Sequence, residues 1–168
     1  TRLAGEEIAS ENREKQAVTR LSEEQMRKGL NMLLLAYTVL FFLPGVPCIY
    51  YGDEIGMQGY RDPFNRGCFD WNAVEGSSLH TAIAGLSRLR KRLLCTKEGS
   101  YKTLKCAGGV YCFIRTGGDS VLVLANASDR PAGIDIPQDF HSLKVHAGVL
   151  EGRRLTADPM TCAIIEST

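Results

Sequence analysis

Pro44-Gly45-Val46-Pro47-Cys48-Ile49-Tyr50-Tyr51-Gly52-Asp53-Glu54-Ile55-Gly56-Met57 is the stretch on which the fold turns. Upstream of it, Ser22-Glu23-Glu24-Gln25 has the capping-box pattern, and Leu30, Leu33, Leu34, Tyr37 and Phe41 recur at helical spacing. A helix over residues 23–42 is predicted, stopped by Pro44 and Gly45. Val46 to Tyr51 then carries apolar side chains at successive positions, the pattern of a strand buried on both faces of a parallel sheet. Helix, tight turn and buried strand make an α/β unit. The two prolines and Gly45 also divide the apolar run from Leu30 to Tyr51. Its uninterrupted piece, Met32 to Leu43, is about half the roughly 20 residues that a membrane-spanning helix needs, so no membrane partner is expected.

Working outward, Gly52 to Ser77 is rich in Gly, Asp, Asn and aromatics with no sustained period, which predicts a long structured loop of the kind that carries function. A second helix over residues 79–94 places Ile83, Leu86, Leu89 and Leu93 on one face and Arg88, Lys91 and Arg92 on a basic, solvated one. After a boundary near residues 95–99 the rhythm changes to short alternating runs at 101–105, 110–115, 120–125, 132–136, 143–147 and 160–166. That spacing predicts a small antiparallel β-sandwich.

The 168 residues include 20 Lys plus Arg against 19 Asp plus Glu, a formal net charge of +1, which gives no electrostatic footprint for nucleic acid. The six cysteines show neither CxxC pairs nor ligand spacing with histidine, so no metal is expected and buried free thiols in a reducing cytoplasm are the favoured reading. Cys106 and Cys112, flanking the Gly108-Gly109 turn, leave one disulfide open as an alternative. His80, His141 and His146 lack partners at ligand spacing and read as surface or capping residues. Asn126-Ala127-Ser128 fits the N-glycosylation pattern, a short motif that chance supplies often.

The quoted stretch, with Asp62-Pro63-Phe64-Asn65-Arg66 soon after it, resembles the eighth barrel strand and adjoining loop of glycoside hydrolase family 13, the α-amylase family. The Leu89-Arg90-Lys91 helix, Gly99-Ser100, Val110 to Arg115 and Val121 to Asn126 are similar to that family's last barrel helix and C-terminal β domain. Within the family the match looks closest to the neopullulanase, cyclomaltodextrinase and oligoglucosidase group. The resemblance implies the C-terminal portion of a (β/α)8 TIM barrel over residues 1–97 and an antiparallel β-sandwich over residues 98–168. A whole barrel takes about 250 residues and does not fit here. It implies an α-glucan oligosaccharide as substrate, hydrolysed with retention, with transglycosylases, isomerases and non-catalytic sugar-binding or scaffold relatives as the other outcomes. No cofactor is implied. Thr1-Arg2-Leu3 is similar to the residues just after the His-Asp pair of the family's seventh strand, which puts all three catalytic carboxylates upstream and none in this chain.

Retaining hydrolysis needs a nucleophilic carboxylate and a protonated acid about 5 to 5.5 Å apart across the scissile bond. Asp53 and Glu54 are the tempting neighbours, but side chains of adjacent residues on an extended segment point to opposite sides. Structural use is expected for both, with Glu54 accepting hydrogen bonds from loop backbone or from a cation. Asp62 and Arg66 are the expected substrate-binding residues. A carboxylate and a rigid guanidinium fork four residues apart can grip sugar hydroxyls, although the same spacing also suits a local ion pair that only pins the loop. Tyr50, Tyr51, Tyr60, Phe64, Phe69 and Trp71 could stack on sugar rings, one of them at most. Without its barrel neighbours, the first helix and strand should leave apolar surface exposed, which favours aggregation, rearrangement or association between copies.

Overall fold

The computed structural model describes residues 12–168; Thr1-Arg2-Leu3 lies outside them. A short helix, α1 (Arg13–Val18), capped by the Asn12 side chain, precedes α2 (Glu23–Phe42). The capping box of α2 is complete: Ser22 Oγ accepts from Gln25 N at 3.2 Å, and Gln25 Oε1 accepts from Ser22 N at 2.9 Å. The helix stops at Leu43, which is extended, and Gly45 turns the chain at φ +107°. α3 (Ser78–Arg92), with Ser77 as N-cap, leads through α4 (Cys95–Glu98) into the strands. Among the described residues no helix is long and apolar enough to cross a membrane.

Among the described residues eight strands follow: β1 (Ser100–Ala107), β2 (Val110–Thr116), β3 (Ser120–Asn126), β4 (Ala132–Asp135), β5 (Lys144–Ala147), β6 (Val149–Glu151), β7 (Arg154–Ala157) and β8 (Thr161–Ser167). They form two antiparallel sheets, one ordered β1-β2-β3-β8-β5 and one ordered β4-β7-β6. The 149–151 and 154–157 pair, a hairpin turning at Gly152 with φ +58°, is not among the strands expected from the sequence.

Alternation along β3 explains the layering. Val121 and Val123 face a core shared with Tyr37, Phe41 and Phe42 of α2 and Ile83, Leu86 and Leu89 of α3. Leu122 and Leu124 point the other way, into a core with Leu155 and Ala157 of the second sheet and Phe140. The five-stranded sheet is therefore covered on both faces, by helices on one and by a sheet on the other. That is why an antiparallel strand here reads as continuously apolar. One apolar core thus runs across residue 97.

The strand expected over residues 46–51 does not form. The segment is irregular, Val46 is 93% exposed, and Ile49, Tyr50 and Tyr51 are also open to solvent. A parallel strand is defined by ladder partners on its two edges, and among the described residues none lies beside this one.

Candidate functional site

The long loop begins with a turn built on two left-handed glycines. Gly52 (φ +92°) and Gly56 (φ +68°) bracket a single 3-10 turn, Asp53–Ile55. Gly52 O accepts from Ile55 N at 3.2 Å and from Met57 N at 2.9 Å, while Glu54 Oε2 reaches back to Gly52 N at 2.8 Å. Asp53 and Glu54 are therefore in a turn and not on an extended segment, which corrects the geometry expected from the sequence. Glu54 closes its own turn, and Asp53 Oδ2 accepts from the buried Tyr37 hydroxyl at 2.6 Å. Burial first, and then this carboxylate, push the Tyr37 hydroxyl well above its ordinary pKa.

Beyond Gln58, whose side chain accepts from Leu21 N at 2.8 Å, the loop folds through two consecutive turns. Arg61 O accepts from Phe64 N at 2.8 Å, and Pro63 O accepts from Arg66 N at 3.0 Å. These turns bring Asp62 and Arg66 into a direct ion pair whose side chains are 57% and 66% exposed. Close by in sequence, Tyr51 donates to Gly67 O at 3.3 Å. Phe69 meets Trp71 edge to face at 4.7 Å between ring centroids, and Trp71 is 78% exposed. Tyr50 and Tyr51 lie 4.9 Å apart. Exposed aromatic faces and a paired but solvated carboxylate and guanidinium suit the mixed apolar and hydroxyl surface of a sugar.

Several other expectations change. Of the basic run in α3, Arg90 is turned inward, donating to Phe41 O, to Leu43 O at 3.3 Å and to Gly45 O, and Arg92 grips both oxygens of Glu166. The run is thus only partly a solvated face, since its acceptors lie far away in sequence where no local pattern reveals them. His146 has a partner as well: its Nε2 is 2.8 Å from Glu166 Oε2. Asn126 is fully buried, donating to Arg130 O, Ala157 O and Asp158 O and accepting from Ser128, so its amide is committed to the fold and unsuited to carry a glycan. Cys106 sits opposite Tyr111 and Cys112 opposite Lys105, which puts the two sulfurs on opposite faces of the hairpin, and all six cysteines are free. Burial pushes the thiols of Cys95, Cys112 and Cys162 up to about 12. Among the described residues no group of His, Cys, Asp and Glu could hold a metal ion.

The family described as Alpha amylase, catalytic domain, matches residues 7–99, more than half of the chain. A cyclomaltodextrinase of Geobacillus thermopakistaniensis is 32% identical over 136 residues, 79% of this chain and 23% of that protein. An amylopullulanase of Thermoanaerobacter thermohydrosulfuricus is 35% identical over 111 residues, 66% of this chain and 7% of that protein. The chain spans less than a quarter of the length of either relative. Among solved structures, the type III pullulan hydrolase of Thermococcus kodakarensis superimposes with a TM-score of 0.70 at 27% identity, over 88% of this chain and 24% of that one. The α-amylase of Geobacillus thermoleovorans, complexed with acarbose, gives 0.72 at 24% identity, over 83% and 34%, a likeness of fold. Helices α2 and α3 and the sheets after them accordingly correspond to the C-terminal part of a barrel with its β domain. The chain belongs to the α-amylase family.

Proposed function

We propose that the complete protein is a retaining α-glucan hydrolase, cleaving α-1,4 or α-1,6 glucosidic bonds of starch-derived oligosaccharides, and that this chain contributes substrate contacts through Asp62 and Arg66. The observation that carries this reading is the exposed Asp62–Arg66 pair, held by two successive turns on the loop after the family's barrel-strand motif. The relatives' names, cyclomaltodextrinase and amylopullulanase, support the substrate class. In this reading the catalytic carboxylates lie outside this chain, the boundary between the end of the barrel and the β domain falls at residue 97, and the free thiols support a reducing cytoplasm.

In the complete protein, Arg66→Ala is expected to weaken maltooligosaccharide binding by roughly tenfold, about 1.4 kcal/mol. The melting temperature should stay in place, because so exposed an ion pair adds little to stability. Unchanged affinity at an unchanged melting temperature would reduce the pair to a loop pin. This chain alone is expected to be inert toward maltotriose and pullulan; turnover by the purified chain would show that the reacting groups are inside it.

A further inference from the structure

The turn over residues 52–57 is closed by its own backbone and by Glu54, so it is a small rigid unit. It packs against both α2 and α3, where Gly56 meets Leu30 and Met26 of the first and Leu79 of the second, and two hydrogen bonds from α2 and the residue before its cap add direction. Gly56 lies so near Leu30 that a Cβ there would come within 2.5 Å of Leu30 Cδ2, Leu21 N donates to Gln58, and the Tyr37 hydroxyl donates to Asp53. The first of these is non-directional packing and the second acts at the far end of the turn. Among the described residues, Tyr37 alone supplies a short, charge-assisted and directional bond at the point where the loop starts. Upstream of that point, residues 46–50 have no ladder hydrogen bonds to set their path.

Resting on the sugar-contact reading of Asp62 and Arg66, we propose that Tyr37 is a positioning residue for substrate: by holding the Asp53 carboxylate it sets the launch of the loop that presents that pair. The Tyr37 ring is embedded in the core beside Phe41, with ring centroids 6.4 Å apart, so its body belongs to the fold while its oxygen belongs to the loop. Asp53 is only partly buried. Once its donor is removed, water can solvate the carboxylate, so the loss falls on loop geometry more than on global stability. Displacements of about 1 Å in such supports are enough to change turnover or binding by one to two orders of magnitude.

The test compares Tyr37→Phe, Arg66→Ala and the double variant in the complete protein, using maltooligosaccharides. Tyr37→Phe deletes one oxygen and keeps the packing. It is expected to raise KM roughly fivefold or more with kcat within about twofold of the parent, and the double variant should be little worse than Arg66→Ala alone, because both act through the same contact. Asp53→Asn keeps an acceptor for Tyr37 but removes its charge and should raise KM by less than Tyr37→Phe does, whereas Asp53→Ala should reproduce Tyr37→Phe in full. A lowered melting temperature with unchanged KM would overturn the proposal, as would KM penalties that simply multiply in the double variant. If Arg66→Ala leaves KM unchanged while Tyr37→Phe raises it, the Arg66 contact is lost and the positioning role stands. If neither changes KM, both fall.

Discussion

Arg115→Met is expected to cost the complete protein about 3 kcal/mol, a large loss for a single side chain. Arg115 is buried on β2 and has no carboxylate partner among the described residues; its guanidinium donates to Ser100 O at 3.2 Å, Phe42 O at 3.3 Å and Gly99 O at 3.1 Å. Phe42 O is one of the carbonyls that a helix leaves unpaired at its C-terminus, and α2 has no basic residue in its own last turn. Arg115 from the sheet and Arg90 from α3 supply the missing cations, and they lie close enough that burial, and then Arg115, lower the Arg90 pKa. Methionine fills a similar volume but leaves the buried Phe42 O without this donor, at about 1 to 3 kcal/mol before relaxation, and removes the bonds to the part-buried Gly99 O and Ser100 O, which water can partly replace. Lysine restores the charge without the fork and should recover roughly half of the loss. The measurement is the urea midpoint at constant m-value. A loss under about 1 kcal/mol would mean that water reaches these carbonyls and that Arg90 alone holds the helix end.

How far the sequence can be read depends on how local each signal is. The bounds of α2, residues 23–42, could be read because the capping box and the Pro44-Gly45 stop act within a turn of the residues they define. The Gly108-Gly109 hairpin and β3 could be read for the same reason. The segment 46–51 could not, because being a strand is a property of neighbours that the described residues do not supply. Glycines at 52 and 56, each at positive φ, mark the turn at Asp53–Ile55 more strongly than the carboxylates between them mark an extended segment. Asp62 and Arg66 were brought together by i,i+4 spacing alone. Tyr37, Arg90 and His146 were missed as polar partners because their acceptors are set by tertiary packing, and helical periodicity assigned the first of them, correctly, to the core.

Glu166→Gln should give the second large effect, with a distinctive dependence on pH. Glu166 shares its face of β8 with Ile164, toward the helices, and its side chain is only 3% exposed. Arg92 of α3 holds both its oxygens, His146 of β5 lies 2.8 Å from one of them, and Lys144 is its register partner on β5. The carboxylate therefore ties the helical layer to two strands. Its hydrogen bonds from Arg92, and after that from His146, lower its pKa from 4.5 to about 2. A depressed carboxylate pKa adds stability that is fully present above the unfolded value and is lost as pH falls through the folded one, so the window runs from about 4.5 down to about 2. Glutamine keeps one acceptor for Arg92 but removes the charge, and Arg92 is exposed enough to be solvated again, which puts the cost at pH 7 at about 3 kcal/mol. The parent should lose stability steeply through the acid window, while Glu166→Gln starts lower and runs flatter through it. Parallel curves for the two proteins between pH 5 and pH 2 would show that the acid sensitivity resides in other carboxylates and that Glu166 contributes packing alone.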